Sequence, residues 1–151
     1  MVLMGRLGAQ MSLSWCDQLS VGNNVIDSDH KFLIETINRV EHSVGTRNRG
    51  EIAAAFDALS RYSRAHFDRE EKIAHAIGYR QAPQVNQSHD ELLRQLDQLG
   101  GEIDAMGLEY PSGAVHHFTN FMRDWLMNHV IREDMLMKPI LQKYSPNFYP
   151  E

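Results

Sequence analysis

Along four stretches of this chain, apolar residues recur alternately three and four positions apart, and histidines and a glutamate stand inside those same stripes. No other feature constrains the fold as strongly. A stripe of this period marks a helix that buries one face. The first stripe reads Ile26, His30, Leu33, Ile37, Val40 and Val44 and ends near Gly45, with Asp27 or Ser28 available to cap its start. The second reads Ile52, Phe56, Leu59, Ser63, His66, Glu70, Ile73 and Ile77 and stops at Gly78. Pro83 suits the first turn of a third helix, with the stripe Val85, His89, Leu92, Leu96, Leu99, Ile103 and Met106. Within it, the Gly100-Gly101 pair is expected to bend or fray the helix. After Gly107 and Pro111 comes a fourth stripe of Phe118, Met122, Trp125 and His129. Beyond His129 the register is open, because Leu136 and Ile140 fit one continuation and Met137 and Leu141 another.

Four helices with short connections imply an all-α fold, an up-down-up-down antiparallel four-helix bundle. The 151 residues fit one domain, which at this size buries about two-thirds of the surface its unfolded chain exposes. The bundle is expected over residues 13–145, with a flexible N-terminal tail over 1–12 and a C-terminal tail over 146–151. No strand-like alternation of comparable length, internal repeat or low-complexity tract interrupts it.

Charge and composition narrow the function. With 15 Lys and Arg against 20 Asp and Glu, a formal charge of −5 provides no electrostatic footprint for nucleic acid or anionic lipid. Cys16 is the single cysteine, so there is no internal disulfide and no thiolate metal site, as suits a reducing cytoplasm. No run approaches the roughly 20 apolar residues that span a membrane, and Met1 to Met11 lacks the apolar stretch of a signal peptide. Nucleic acid and membrane are therefore not expected partners, and a cytoplasmic location is.

His30, His66, Glu70, His89 and His129 all take positions that the stripes assign to the core. An unpaired buried carboxylate costs several kcal/mol, so a core glutamate calls for cations or hydrogen bonds. One metal centre would satisfy all five together. His66 and Glu70 are four residues apart, about 40° around a helix and one turn along it. Imidazole nitrogen with carboxylate oxygen suits iron, manganese or zinc, and a carboxylate can bridge two ions. An isolated pair of this kind more often lies on a solvated face; here it belongs to a set spread over four helices.

The order of local motifs carries a resemblance. Leu13-Ser14-Trp15, Leu19-Ser20-Val21-Gly22 and Ile26-Asp27-Ser28-Asp29-His30-Lys31 together resemble the opening of bacterial hemerythrins. His66-Phe67-Asp68-Arg69-Glu70-Glu71 resembles the second-helix motif of that family, and Trp125-Leu126-Met127-Asn128-His129-Val130 with Asp134 resembles the fourth. The likeness spans roughly residues 13 to 144. Myohemerythrin, an animal relative, is itself an up-down bundle. The resemblance implies two iron ions joined by an oxo or hydroxo bridge, with His30 and His66 on one iron, His89 and His129 on the other, and Glu70 and Asp134 bridging. It also implies that dioxygen binds reversibly at the di-iron site.

Two departures complicate that transfer. Hemerythrins carry two histidines four apart on the third helix, and here the first of those positions is Val85, which cannot bind metal. Both irons would then hold two histidines, each with an open position. His75 lies nine residues beyond His66, about 180° around the helix, and His42, His116 and His117 are read as surface or rim histidines. Asp134 lies five residues after His129, about 140° around, so helical spacing alone favours Glu133; the resemblance favours Asp134, with a wide or π turn between the two bringing it inward. Trp15 and Trp125 are read as packing residues beside the site.

The leading expectation is a protein that binds dioxygen or another small exogenous ligand for storage, delivery or sensing, and is not an enzyme. A sensing role would require a separate signalling partner, since no effector domain is encoded alongside. The alternative is a di-iron enzyme that acts on peroxide, nitric oxide or dioxygen through the extra open position.

Overall fold

In the computed structural model, which describes residues 4–7, 10–106 and 112–151, four long helical segments lie side by side. Helix α1 spans Asn24–Thr46, α2 spans Arg49–Ala76, α3 spans Ala82–Ala105, and α4 spans Ser112–Asp124. A π-helical turn, Trp125–Ile131, carries α4 directly into the short α5, Arg132–Met135, and α6 follows at Lys138–Leu141. Helix α1 packs on α2 and α4, and α2 on α3. This is the up-down bundle expected from the stripes. Among the described residues, no helix is long and apolar enough to cross a membrane.

The stripe residues form the core. Leu33, Ile37 and Val40 of α1, Leu59 of α2, Leu96 and Leu99 of α3, and Phe118, Met122 and Leu126 of the fourth segment are almost wholly buried. At about 1.5–3 kcal/mol for each large apolar side chain removed from water, these contacts dominate the folding energy. Between α1 and α4, Glu41 accepts two hydrogen bonds from the Arg123 guanidinium, at 2.9 and 3.0 Å. That doubly bonded pair fixes how the two helices align, since a buried carboxylate needs its charge and its lone pairs satisfied together.

The helix ends differ in detail from the sequence reading. Asn23 caps α1, its side chain accepting from the Val25 and Ile26 amides, and Asp27, offered above as a cap, is buried and accepts from Val21 N and the Ser20 hydroxyl. The helix begins earlier than its apolar stripe because the first turn is held by that cap and by the chain end: Asn24 N donates to Pro146 O, and Asn23 Nδ2 to Phe148 O. Residues 146–148, within the stretch expected as a tail, thus dock on the start of α1. At the other end, α3 runs through Gly100 and Gly101 to Ala105. Gly100 allows a close approach, since a Cβ there would sit 2.7 Å from Cε1 of Phe56 on α2. The turn at Gly107 and Pro111 lies outside the described residues.

Two short strands, β1 (Met4–Leu7) and β2 (Gln10–Leu13), pair antiparallel within the stretch expected to be a flexible tail. Leu13 anchors the pair to α1: its N–H donates to Asn38 Oδ1 at 3.0 Å, and Asn38 Nδ2 donates to its carbonyl at 2.8 Å.

Candidate metal centre

The polar residues of the stripes meet where the apolar packing leaves a gap. His30 from α1, His66 and Glu70 from α2, and Asp134 from α5 each present a ligand atom within 4.8 Å of the others, and all four are buried. Among the described residues, no other such group of histidines and acids occurs. Nε2 of His30 lies 2.6 Å from Asp134 Oδ2, and Nε2 of His66 lies 3.3 Å from the same oxygen and 3.0 Å from Glu70 Oε2. His89 of α3 adjoins the group, buried, with Nε2 3.7 Å from Glu70 Oε1.

His66 is held from behind. Asp29 accepts at Oδ2 from its Nδ1 at 3.0 Å and from Arg69 Nε at 2.9 Å, and at Oδ1 from Arg69 at 2.8 Å and the Tyr62 hydroxyl at 2.7 Å. With Nδ1 engaged, Nε2 faces the group, the arrangement that orients a metal-binding imidazole. Asp29 is the functional residue that the stripe analysis misses. It sits in the motif beside His30 but off the apolar face, and its role depends on partners a helix away. His89 is held in a similar way, with Nδ1 3.1 Å from Glu71 Oε1 and its ring stacked on Phe67 at a centroid distance of 4.0 Å.

Electrostatics sharpen the picture. Burial together with its neighbour His66 pushes the His30 imidazole down to about 3, so it is neutral and able to donate a lone pair. Burial opposes charge on His66, but Asp134, Asp29 and Glu70 around it raise it well above the ordinary histidine value. Burial and then repulsion from Glu70 raise Asp134 well above the carboxylate range. Glu70 goes the other way: burial would raise it, yet contacts with Asp134, His66 and His89 hold it well below. Without a cation, these four groups must share protons to stay in the core.

A cation resolves that conflict. Both oxygens of Glu70 are buried and neither accepts a hydrogen bond, although the His66 and His89 imidazoles lie 3.0 and 3.7 Å away. Orphaned carboxylate oxygens in a dry interior are costly, and a metal ion is a partner that supplies both charge and coordination. Two imidazoles and two carboxylates form a donor set that iron, manganese or zinc accepts, so the residues fit the metal that the sequence implied.

The remaining expected ligand lies elsewhere. The structure does not bring His129 to the group; its side chain is 46% exposed, with Nε2 3.3 Å from Asp124 Oδ2. The cause is the π turn. Its wider hydrogen bonding inserts one residue into the register, so the buried series passes from Trp125 to Val130, Asp134, Met137 and Leu141. The π turn was expected between His129 and Asp134; it starts at Trp125, before His129, so the shift that brings Asp134 inward has already rotated His129 outward. It also resolves the open register, since Leu136 is 61% exposed while Met137 and Leu141 are buried. Glu133 is turned from the group and accepts from the Ser88 hydroxyl at 2.6 Å. Val85 is half-buried, and His42, His75, His116 and His117 are exposed. Trp125 is buried, its Nε1 donating to Leu92 O at 2.9 Å, and Trp15 packs at the core edge under the Lys31 ammonium.

Comparisons with known proteins place the fold and the sequence in one family. The family model described as the Hemerythrin HHE cation binding domain matches residues 21–141. A bacteriohemerythrin of Methylococcus capsulatus is 32% identical over 133 residues, covering 87% of this chain and 98% of the relative. A bacteriohemerythrin of Pseudomonas aeruginosa is 25% identical over 122 residues, covering 81% of this chain and 76% of the relative. A crystal structure of wild-type hemerythrin superposes with a TM-score of 0.72 at 29% identity, covering 85% of this chain and 97% of that one.

Proposed function

Because the chain belongs to the hemerythrin family, a non-haem iron, oxygen-binding type of protein, we propose that it holds two iron ions between its helices and binds dioxygen there reversibly. The observation that carries this reading is the convergence of two imidazoles and two carboxylates in the core, with neither Glu70 oxygen held by a hydrogen bond. Bound iron supplies the redox and Lewis-acid chemistry that side chains lack. The chain's own residues set the conditions. Glu70 reaches both sides, with Oε2 3.0 Å from His66 and Oε1 3.7 Å from His89, and would bridge the ions; Asp134, beside His30 and His66, would be the second shared carboxylate. Asp29 holds His66 in one orientation. Phe67, stacked on His89 and 6.2 Å from the Trp125 ring, lines the site with apolar surface that excludes water.

An enzyme acting on peroxide, nitric oxide or dioxygen is the second reading. It draws on the half-buried Val85 and the outward His129, which leave the His89 side short of protein donors and open to exogenous ligands. Reversible binding is favoured because the apolar rings of Phe67 and Trp125 pack beside the group.

Iron content tests the assignment. Protein reconstituted with excess iron should hold close to two ions per chain, and Glu70→Ala should hold almost none, since each ion loses a charged ligand in a low-dielectric core. A Glu70→Ala protein with undiminished iron and an unchanged spectrum would overturn it.

A further inference from the structure

We infer that the two metal positions are unequal and fill in order: one ion on the preformed group of His30, His66, Glu70 and Asp134, and a second, weaker one on the His89 side. This rests on the iron-holding reading above and goes beyond it, because the sequence implied two histidines for each ion.

The first position is complete before any ion arrives. Its four donors come from three helices, are buried, and stand within 4.8 Å of one another. Asp29 already holds His66 in place, and Nε2 of His30 already faces Asp134 at 2.6 Å. Little reorganisation is needed, because the four donor atoms already converge on one small volume.

The second position lacks that preparation. His89 is its one buried imidazole, 3.7 Å from Glu70 Oε1. Val85, a turn earlier on the same face of α3, offers no donor. His129 lies within the π turn and faces outward, with its ring beside Asp124. What remains is a single nitrogen, the Glu70 carboxylate oxygens shared with the first ion, and exogenous ligands. The shared oxygens are also weaker donors once the first ion has drawn on their charge. Loss of even an outer-sphere partner typically costs about 10–100-fold in metal affinity, so a position missing direct ligands should bind at least about tenfold more weakly.

The test is an anaerobic equilibrium titration of metal-free protein with Fe(II) against a chelator of known affinity, repeated with Co(II), whose visible bands report coordination number. Two steps separated by at least about tenfold are expected, the first a one-ion step. His89→Ala should remove the second step, His30→Ala should weaken the first, and Val85→His should narrow the gap by tightening the second. Circular dichroism of each metal-free variant confirms that the helices form. Two ions taken up in one indivisible step, or an equal loss of both steps in His89→Ala, would overturn the ordered filling while leaving the iron-holding reading intact. Absence of any tight step in the parent protein would remove both.

Discussion

Asp29 and His66 meet side chain to side chain across the α1–α2 interface, Oδ2 of the first 3.0 Å from Nδ1 of the second. Burial would raise the Asp29 carboxyl, but His66, Arg69 and Tyr62 outweigh it and hold the group well below the ordinary range. It is therefore an anion that only accepts, and Nδ1 of His66 donates to it. That fixes which ring nitrogen faces Glu70 and Asp134.

Asp29→Ala should consequently loosen iron without touching a ligand. His66 would be free to rotate, and Arg69 would lose its bidentate partner. Iron affinity is expected to fall by about 10–100-fold, read as faster release to a chelator. Release at the parental rate would show that packing alone orients His66.

The last helix separates three neighbours. Asp134→Ala should strip iron, because it removes the carboxylate that touches both His30 and His66. Glu133→Ala should keep its iron and lose about 1 kcal/mol of stability through its bond to Ser88, visible as a lower denaturation midpoint. His129→Ala, altering a ring that is 46% exposed, should cost far less iron than Asp134→Ala. Iron loss in His129→Ala equal to that in Asp134→Ala would mean that the π turn relocates when metal is present.

Metal uptake should release protons. His66 and Asp134 are both raised, so they hold protons more tightly than an ordinary histidine or carboxyl, and a cation must displace them, whereas His30 is held down near 3. Ions and protons compete, and the apparent iron affinity should therefore weaken as pH falls. Titration in a weak buffer with an indicator dye reads this directly. Uptake with no acidification would contradict the assigned charge states.

The bundle was legible because its evidence is periodic: Leu33, Ile37, Leu59, Leu96 and Phe118 occupy core positions that the three-four rhythm marks. His30, His66, Glu70 and His89 were legible for the same reason, as polar residues inside that rhythm. Asp134 was reached through resemblance, since ideal spacing pointed to Glu133. The outward turn of His129 was not legible. A π turn is a change in backbone hydrogen bonding with no side-chain signature, and one inserted residue moves every later position around the helix. Asp29 stayed hidden because it belongs to no stripe. The Asn23 cap was missed because several capping residues precede Ile26, and the choice among them depends on contacts with residues 146–148 at the far end of the chain.

The two glycines of α3 make a paired test of the packing. Gly101→Ala meets nothing within 4 Å and should stabilise the protein by up to about 1 kcal/mol through helix propensity. Gly100→Ala would press on Phe56 at 2.7 Å, and overpacking of about 1–3 kcal/mol should cancel or exceed the same gain. Thermal melts compare them. Equal stabilisation by both would show that Phe56 yields freely.

The most direct measurement is the optical spectrum of anaerobically reconstituted, reduced protein exposed to air and then returned to inert gas. Binding of dioxygen at iron held by His30, His66, Glu70 and Asp134 predicts an absorption band that appears in air, fades when oxygen is removed, and returns on a second exposure, with the Glu70→Ala protein silent throughout. A parent protein that takes up iron yet shows no oxygen-dependent band, or one that oxidises once and never recovers, would contradict reversible oxygen binding.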